Sequence, residues 1–177
     1  LLLYDAYWSL SLVGVTGVYL VVRSWRDTEP ASARRVLVAV VVGCATFLPW
    51  VPIFLHQLEH TGTPWATPLA LTTAMGHGLM EFGGGFVPAG WLMGPLLGVV
   101  ALLGVFGVAL DRRRIEIDLL TRPIARSEAF IGLGTLVVGA GIAWITSGAF
   151  DARYASVVIP MYLLLVAVGL LTVASRE

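Results

Sequence analysis

Long apolar blocks separated by short polar ones dominate the chain. Such blocks occupy residues 1–22, 36–55, 91–110, 130–147 and 154–174. A helix rises about 1.5 Å per residue and the hydrocarbon core of a bilayer is about 30 Å thick, so roughly 20 apolar residues make one crossing. The pattern predicts an all-α, polytopic transmembrane helical bundle of about five spans, forming one domain over residues 1–177. A sixth apolar stretch, Pro68 to Met80, is too short to cross and carries His77, with Glu81 and then Gly83, Gly84 and Gly85 following it. It predicts a re-entrant or amphipathic helix inside an outer loop of residues 56–90, because backbone at membrane depth must satisfy its own hydrogen bonds.

Composition agrees with the pattern. Of 177 residues 58% are hydrophobic and only 12% charged, with a mean hydropathy of +0.87; this excludes a soluble domain and, with no basic surfeit, a nucleic-acid binder. The first block has no basic n-region or small-residue cleavage site and begins without a methionine, so we expect a piece of a longer protein whose amino-terminal part is absent. A single cysteine, Cys44, rules out an intrachain disulfide and reads as a small core residue.

Charge then orients the bundle. All 11 basic residues are arginines. Arg23, Arg26, Arg34 and Arg35 lie between the first two spans; Arg112, Arg113, Arg114, Arg122 and Arg126 lie between the third and fourth; Arg176 follows the last. A five-span arrangement puts these on one face, cytoplasmic by the positive-inside rule, where they anchor topology and attract anionic headgroups. Arg153 alone falls on the other side.

That outer side also holds the three histidines. In "FLPWVPIFLHQLEHTGTPWATP", Pro49 and Pro52 kink the second span near its end, and Trp50 and Trp65 suit the interface. His56, Glu59 and His60 stand at i, i+3 and i+4, on one helical face. The spacing matches the H-x-x-E-H pattern in which two histidines hold zinc and the glutamate acts as base, with Glu81 or Asp151 as possible third ligands; its alternatives are a polar helix end and a polar-ligand site. Asp5, in "YDAYW", belongs to an aromatic belt or lines a cavity at the membrane surface. In "GAFDARYASVVIP", Arg153 either pairs with Asp151 at the surface or grips an anion at headgroup depth, with the Tyr154 hydroxyl as a second donor.

Together "LLLYDAYW", "FLPWVPIFLHQLEHTGTPWATP" and "DARYASVVIPMYLLLVAVGL" resemble the carboxy-terminal half of bacterial membrane glycosyltransferases of the GT-C superfamily. The nearest group is family 39, the dolichyl-phosphate-mannose protein mannosyltransferase type, in its actinobacterial form. Asp5 and Ala6 stand where relatives commonly have a Thr-His pair. The resemblance implies an integral plasma-membrane enzyme without a cofactor that transfers a sugar, mannose or another hexose, from a polyprenyl-phosphate donor to an extracytoplasmic acceptor of the cell envelope. It implies donor-phosphate contacts from Arg153 and Tyr154, and sugar or acceptor contacts from His56, Glu59, His60, Trp65 and Asp5. The catalytic carboxylate would lie in the missing first outer loop. Two other readings stay open: a non-enzymatic polytopic protein, either a transporter or an assembly subunit, and a membrane zinc hydrolase.

Overall fold

The computed structural model describes residues 8–26, 31–60, 70–85, 87–111, 114–120, 122–145 and 152–174. Its helices are α1 (Ser9–Arg26), α2 (Ala31–Ala45), α3 (Val51–His60), α4 (Leu71–Phe82), α5 (Pro88–Phe106), α6 (Pro123–Ile145) and α7 (Ile159–Ala174). Two 3₁₀ segments, Leu48–Trp50 and Ala152–Val158, lead into α3 and α7, and strands β1 (Gly107–Asp111) and β2 (Arg114–Ile117) form a hairpin between α5 and α6. Among the described residues four helical stretches are long and apolar enough to cross a membrane: Ala31–Gln57, Pro88–Phe106, Pro123–Ile145 and Ala155–Val173. The molecule is a polytopic membrane helical bundle.

The second span bends at its prolines. Pro49 and Pro52 have no N–H to donate, and the chain passes α2 to α3 through a tightened turn in which the Phe47 and Trp50 amides donate to Cys44 and Phe47 carbonyls at 3.0 and 2.9 Å. The third block behaves otherwise. It is helical only to Phe106, short of the expected Leu110, because Gly107 turns to an extended conformation, φ −79° and ψ 131°. Residues 107–111 then pair antiparallel with 114–117, with an irregularity between Ala109 and Asp111. The last carbonyls of α5 find partners across this junction: Asp118 N–H donates to Phe106 and Arg122 N–H to Val105, at 2.9 and 3.0 Å.

Small residues decide how the helices meet. On α1 and α6 the Tyr19 and Phe130 rings lie 5.7 Å apart, while a Cβ at Gly134 would come within 2.9 Å of Val15. Rising numbers on α1 thus meet falling numbers on α6, so the pair is antiparallel. The end of α1 with Arg23 and Arg26 therefore lies with the start of α6, which carries Arg126 just after Arg122. Helix α2, with Arg34 and Arg35 in its first turns, starts from that same end. Helices α5 and α7 cross with backbones almost touching: a Cβ at Gly104 would overlap the Leu165 carbonyl oxygen, and one at Gly169 would overlap that of Val100.

Helix α4 covers most of the short apolar stretch read from Pro68 to Met80. Its 12 residues reach about 18 Å, well short of a crossing. It lies across α5 at Gly94, where a Cβ would meet the Leu79 carbonyl oxygen at 2.8 Å. The chain reverses at once through Gly84 and Gly85, whose φ values of +113° and +88° are left-handed and suit only glycine without strain.

Candidate functional site

The end of the bundle away from the described arginines holds two of the segments to which the sequence assigns chemistry, the end of α3 and the 3₁₀ segment Ala152–Val158. Two groups form there, and they are separate.

The first group is the end of α3. His56, Glu59 and His60 are exposed on its last two turns. The imidazole rings stack at 4.1 Å, and Nδ1 of His60 donates to the His56 carbonyl oxygen at 2.8 Å. The i, i+4 spacing thus lets the His60 ring reach back to a carbonyl one turn earlier on its own helix. Among the described residues no three His, Cys, Asp or Glu side chains come together as a metal site would need. Of the described elements, α3 packs appreciably only on the 3₁₀ turn before it.

The second group is built on α4 and the 3₁₀ segment Ala152–Val158, which pack on each other and on α6. Ala74, Ala140, Ala143 and Ala155 form a buried knot of small side chains, with Trp8, Phe82 and Leu136 around it. Gly78 faces Ala155, a Cβ there reaching it at 3.8 Å. Arg153 and Tyr154 lie in this 3₁₀ segment, so their backbone is pinned against α4, the helix that carries His77 and Glu81; their side chains lie outside the described residues. Asp5, Trp65 and Asp151 lie wholly outside them.

Sequence reasoning passes over Tyr162. This residue sits in the first turn of α7 against Phe82, with ring centroids 5.2 Å apart. Its hydroxyl is buried without a hydrogen-bond partner among the described residues. A buried hydroxyl ordinarily has a partner, so this one is a feature of the α4–α7 contact that asks for explanation. Nothing in the local sequence "IPMYLLL" distinguishes it from an apolar filler.

Fold and site together define a class: a polytopic helical membrane protein whose described polar side chains are dispersed. No protein-family model, curated protein or solved structure matches the chain.

Proposed function

We propose that this chain is the membrane-embedded helical part of a larger assembly and acts by packing with further transmembrane elements. One observation carries the reading. Only 6% of the apolar stretch Ala31–Gln57 is buried, against 22–28% of the other three long helices. In lipid an apolar surface gains nothing by association, so the features that matter are small residues that admit another backbone. Ala39 and Gly43 stand four apart on the exposed side of α2, and nothing lies within 4 Å of where a Cβ on Gly43 would be. Ala33, by contrast, is buried on the side toward α1.

The test is photo-crosslinking in native membranes from Val38 and Val42, each 60% exposed on this arm. The assembly reading expects one discrete protein adduct from both positions, lost in Gly43→Leu. Lipid adducts alone from both would end it.

A second reading is the carboxy-terminal part of a GT-C type glycosyltransferase of the bacterial plasma membrane. What supports it is the position of the Arg153–Tyr154 backbone, against α4 and at the end remote from the other described arginines. In that chemistry an upstream carboxylate removes the proton of an acceptor hydroxyl, its oxygen attacks the anomeric carbon, and the polyprenyl phosphate departs. Negative charge gathers on the leaving phosphate, where a fixed guanidinium contributes about 3 kcal/mol, as an oxyanion donor does. The expected result of Arg153→Ala in the full-length parent is a loss of sugar transfer of about a hundredfold with insertion unchanged. Unaltered transfer would remove this reading.

A further inference from the structure

The arginine-rich end of the bundle carries a site of its own. A cavity of about 340 Å³ opens between β1, the start of α6 and the end of α7. Its volume falls at the lower end of ligand-site sizes, about 300–1,000 Å³. Arg122 and Thr172 supply its polar wall, and Val108, Ile124, Val168 and Leu171 much of the apolar one. The arginine is clamped by its backbone: its N–H donates to Val105 and its carbonyl accepts from Ala125, both at 3.0 Å. One guanidinium nitrogen donates to Thr172 Oγ1 at 2.5 Å, and that hydroxyl in turn donates to Val168 at 2.8 Å.

A guanidinium has five N–H donors in a planar fork. Among the described residues one bond is made from it, to Thr172, and no carboxylate pairs with Arg122. Asp118, the nearest acidic residue in sequence, directs its carboxylate to the Leu120 amide at 2.9 Å. The surroundings say which anion fits. Ile124, which lines the cavity, and Leu119 and Leu120, which precede Arg122 in the chain, are exposed by 66%, 83% and 77%. Such side chains beside an arginine at the end of three spanning helices belong at the level where acyl chains meet headgroups.

We propose that this cavity binds the phosphate of an anionic glycerophospholipid. The free edge of the Arg122 guanidinium takes two phosphate oxygens, and the wall of Val108, Ile124, Val168 and Leu171 takes the glycerol and the first acyl carbons. Thr172 is a positioning residue that aims the arginine. The site stands apart from both functional readings above: it shares no residue with the exposed arm Ala31–Gln57 and lies at the end of the bundle opposite the Arg153–Tyr154 backbone.

The experiment is native mass spectrometry of the purified full chain in detergent, with phosphatidylglycerol, phosphatidylcholine and inorganic phosphate as probes. Wild type retains phosphatidylglycerol about tenfold or more over phosphatidylcholine, whose own ammonium offsets its phosphate charge, and Arg122→Gln reduces retention to the phosphatidylcholine level. Thr172→Val, which leaves the cation in place, keeps most of the binding; a purely structural arginine would make the two variants lose it alike and overturn the proposal. Equal retention of the two lipids would overturn it too. Displacement of phosphatidylglycerol by modest inorganic phosphate would reassign the site to a free anion and refute the lipid. Should Arg122→Gln not stay monodisperse, Val168→Phe fills the cavity with the arginine intact and is expected to exclude the lipid; undiminished binding in it refutes the assignment.

Discussion

Replacing Gly169 by alanine sets two effects of known sign against each other. Alanine is the better helix former by about 1 kcal/mol in an aqueous helix interior. Against that stands the geometry of the α5–α7 crossing. The new methyl would overlap the Val100 carbonyl oxygen and come within 2.8 Å of its carbon. These are backbone atoms, with no rotamer to turn, so the helices must part by about 1 Å. A gap of that size removes a quarter to a half of the dispersion attraction of each facing atom pair, and overpacking of this kind costs about 1–3 kcal/mol. Net destabilisation of about 1–2 kcal/mol follows. Gly141 is the internal control: it is also helical, and nothing lies within 4 Å of its would-be Cβ. There the propensity gain is unopposed, and Gly141→Ala stabilises by about 0.5 kcal/mol. The assay is reversible unfolding in mixed micelles by a rising fraction of sodium dodecyl sulfate, followed by the fluorescence of the six tryptophans. If both variants shift the midpoint in the same direction, or if Gly141→Ala loses more than Gly169→Ala, the close crossing of α5 and α7 is refuted.

Other substitutions test other parts of the architecture by the same assay. Gly84→Ala, at a φ of +113°, is expected to cost about 1–2 kcal/mol through backbone strain alone; an unchanged midpoint would show that the turn after α4 is not left-handed. Tyr162→Phe removes a buried hydroxyl that lacks a partner among the described residues and is expected to stabilise by about 1 kcal/mol; if it destabilises by as much, the hydroxyl has a partner. His60→Ala, at an exposed helix end, should change stability by less than about 0.5 kcal/mol, and elemental analysis of wild type and variant is expected to give the same substoichiometric zinc. Stoichiometric zinc lost in the variant would favour the metal reading of "HQLEH".

The alternation of apolar and polar blocks makes the spanning stretches readable, because length and hydropathy are all that a crossing requires. Pro49 and Pro52 announce their bend for an equally local reason, the missing N–H. The hairpin at 107–117 is harder to see: "GVAL" is as apolar as the helix before it, and the departure depends on Gly107 taking an extended conformation whose alternatives differ by little. The glycines show a further limit. Gly43, Gly94, Gly141 and Gly169 look alike in sequence, yet two of them receive another backbone and two face open space. Which is which depends on helix crossings, a nonlocal property. "HQLEH" shows a different limit, for its spacing leaves several uses open: the same i, i+4 geometry that would hold a metal also lets His60 reach the carbonyl of His56, as a polar helix end would.

Arg122 joins these arguments. By count it is one of five arginines between the third and fourth apolar blocks and reads as a topology anchor like the rest. Its distinction is its place directly before Pro123, at the start of a helix, where its backbone must serve the end of α5 while its side chain reaches the end of α7. A residue that closes two helix ends and makes one guanidinium hydrogen bond among the described residues cannot be replaced by lysine at no loss. The ammonium could neutralise charge, but it lacks the planar fork needed to hold Thr172 and a phosphate at once. Arginine usage in this loop is therefore two kinds of constraint written with one letter. Arg126, exposed one turn further on, lies outside the lining of the cavity, whereas Arg122 is part of it and shape is required there. Lysine at the first position should leave topology and phosphatidylglycerol retention unchanged, and lysine at the second should weaken retention while topology stays the same.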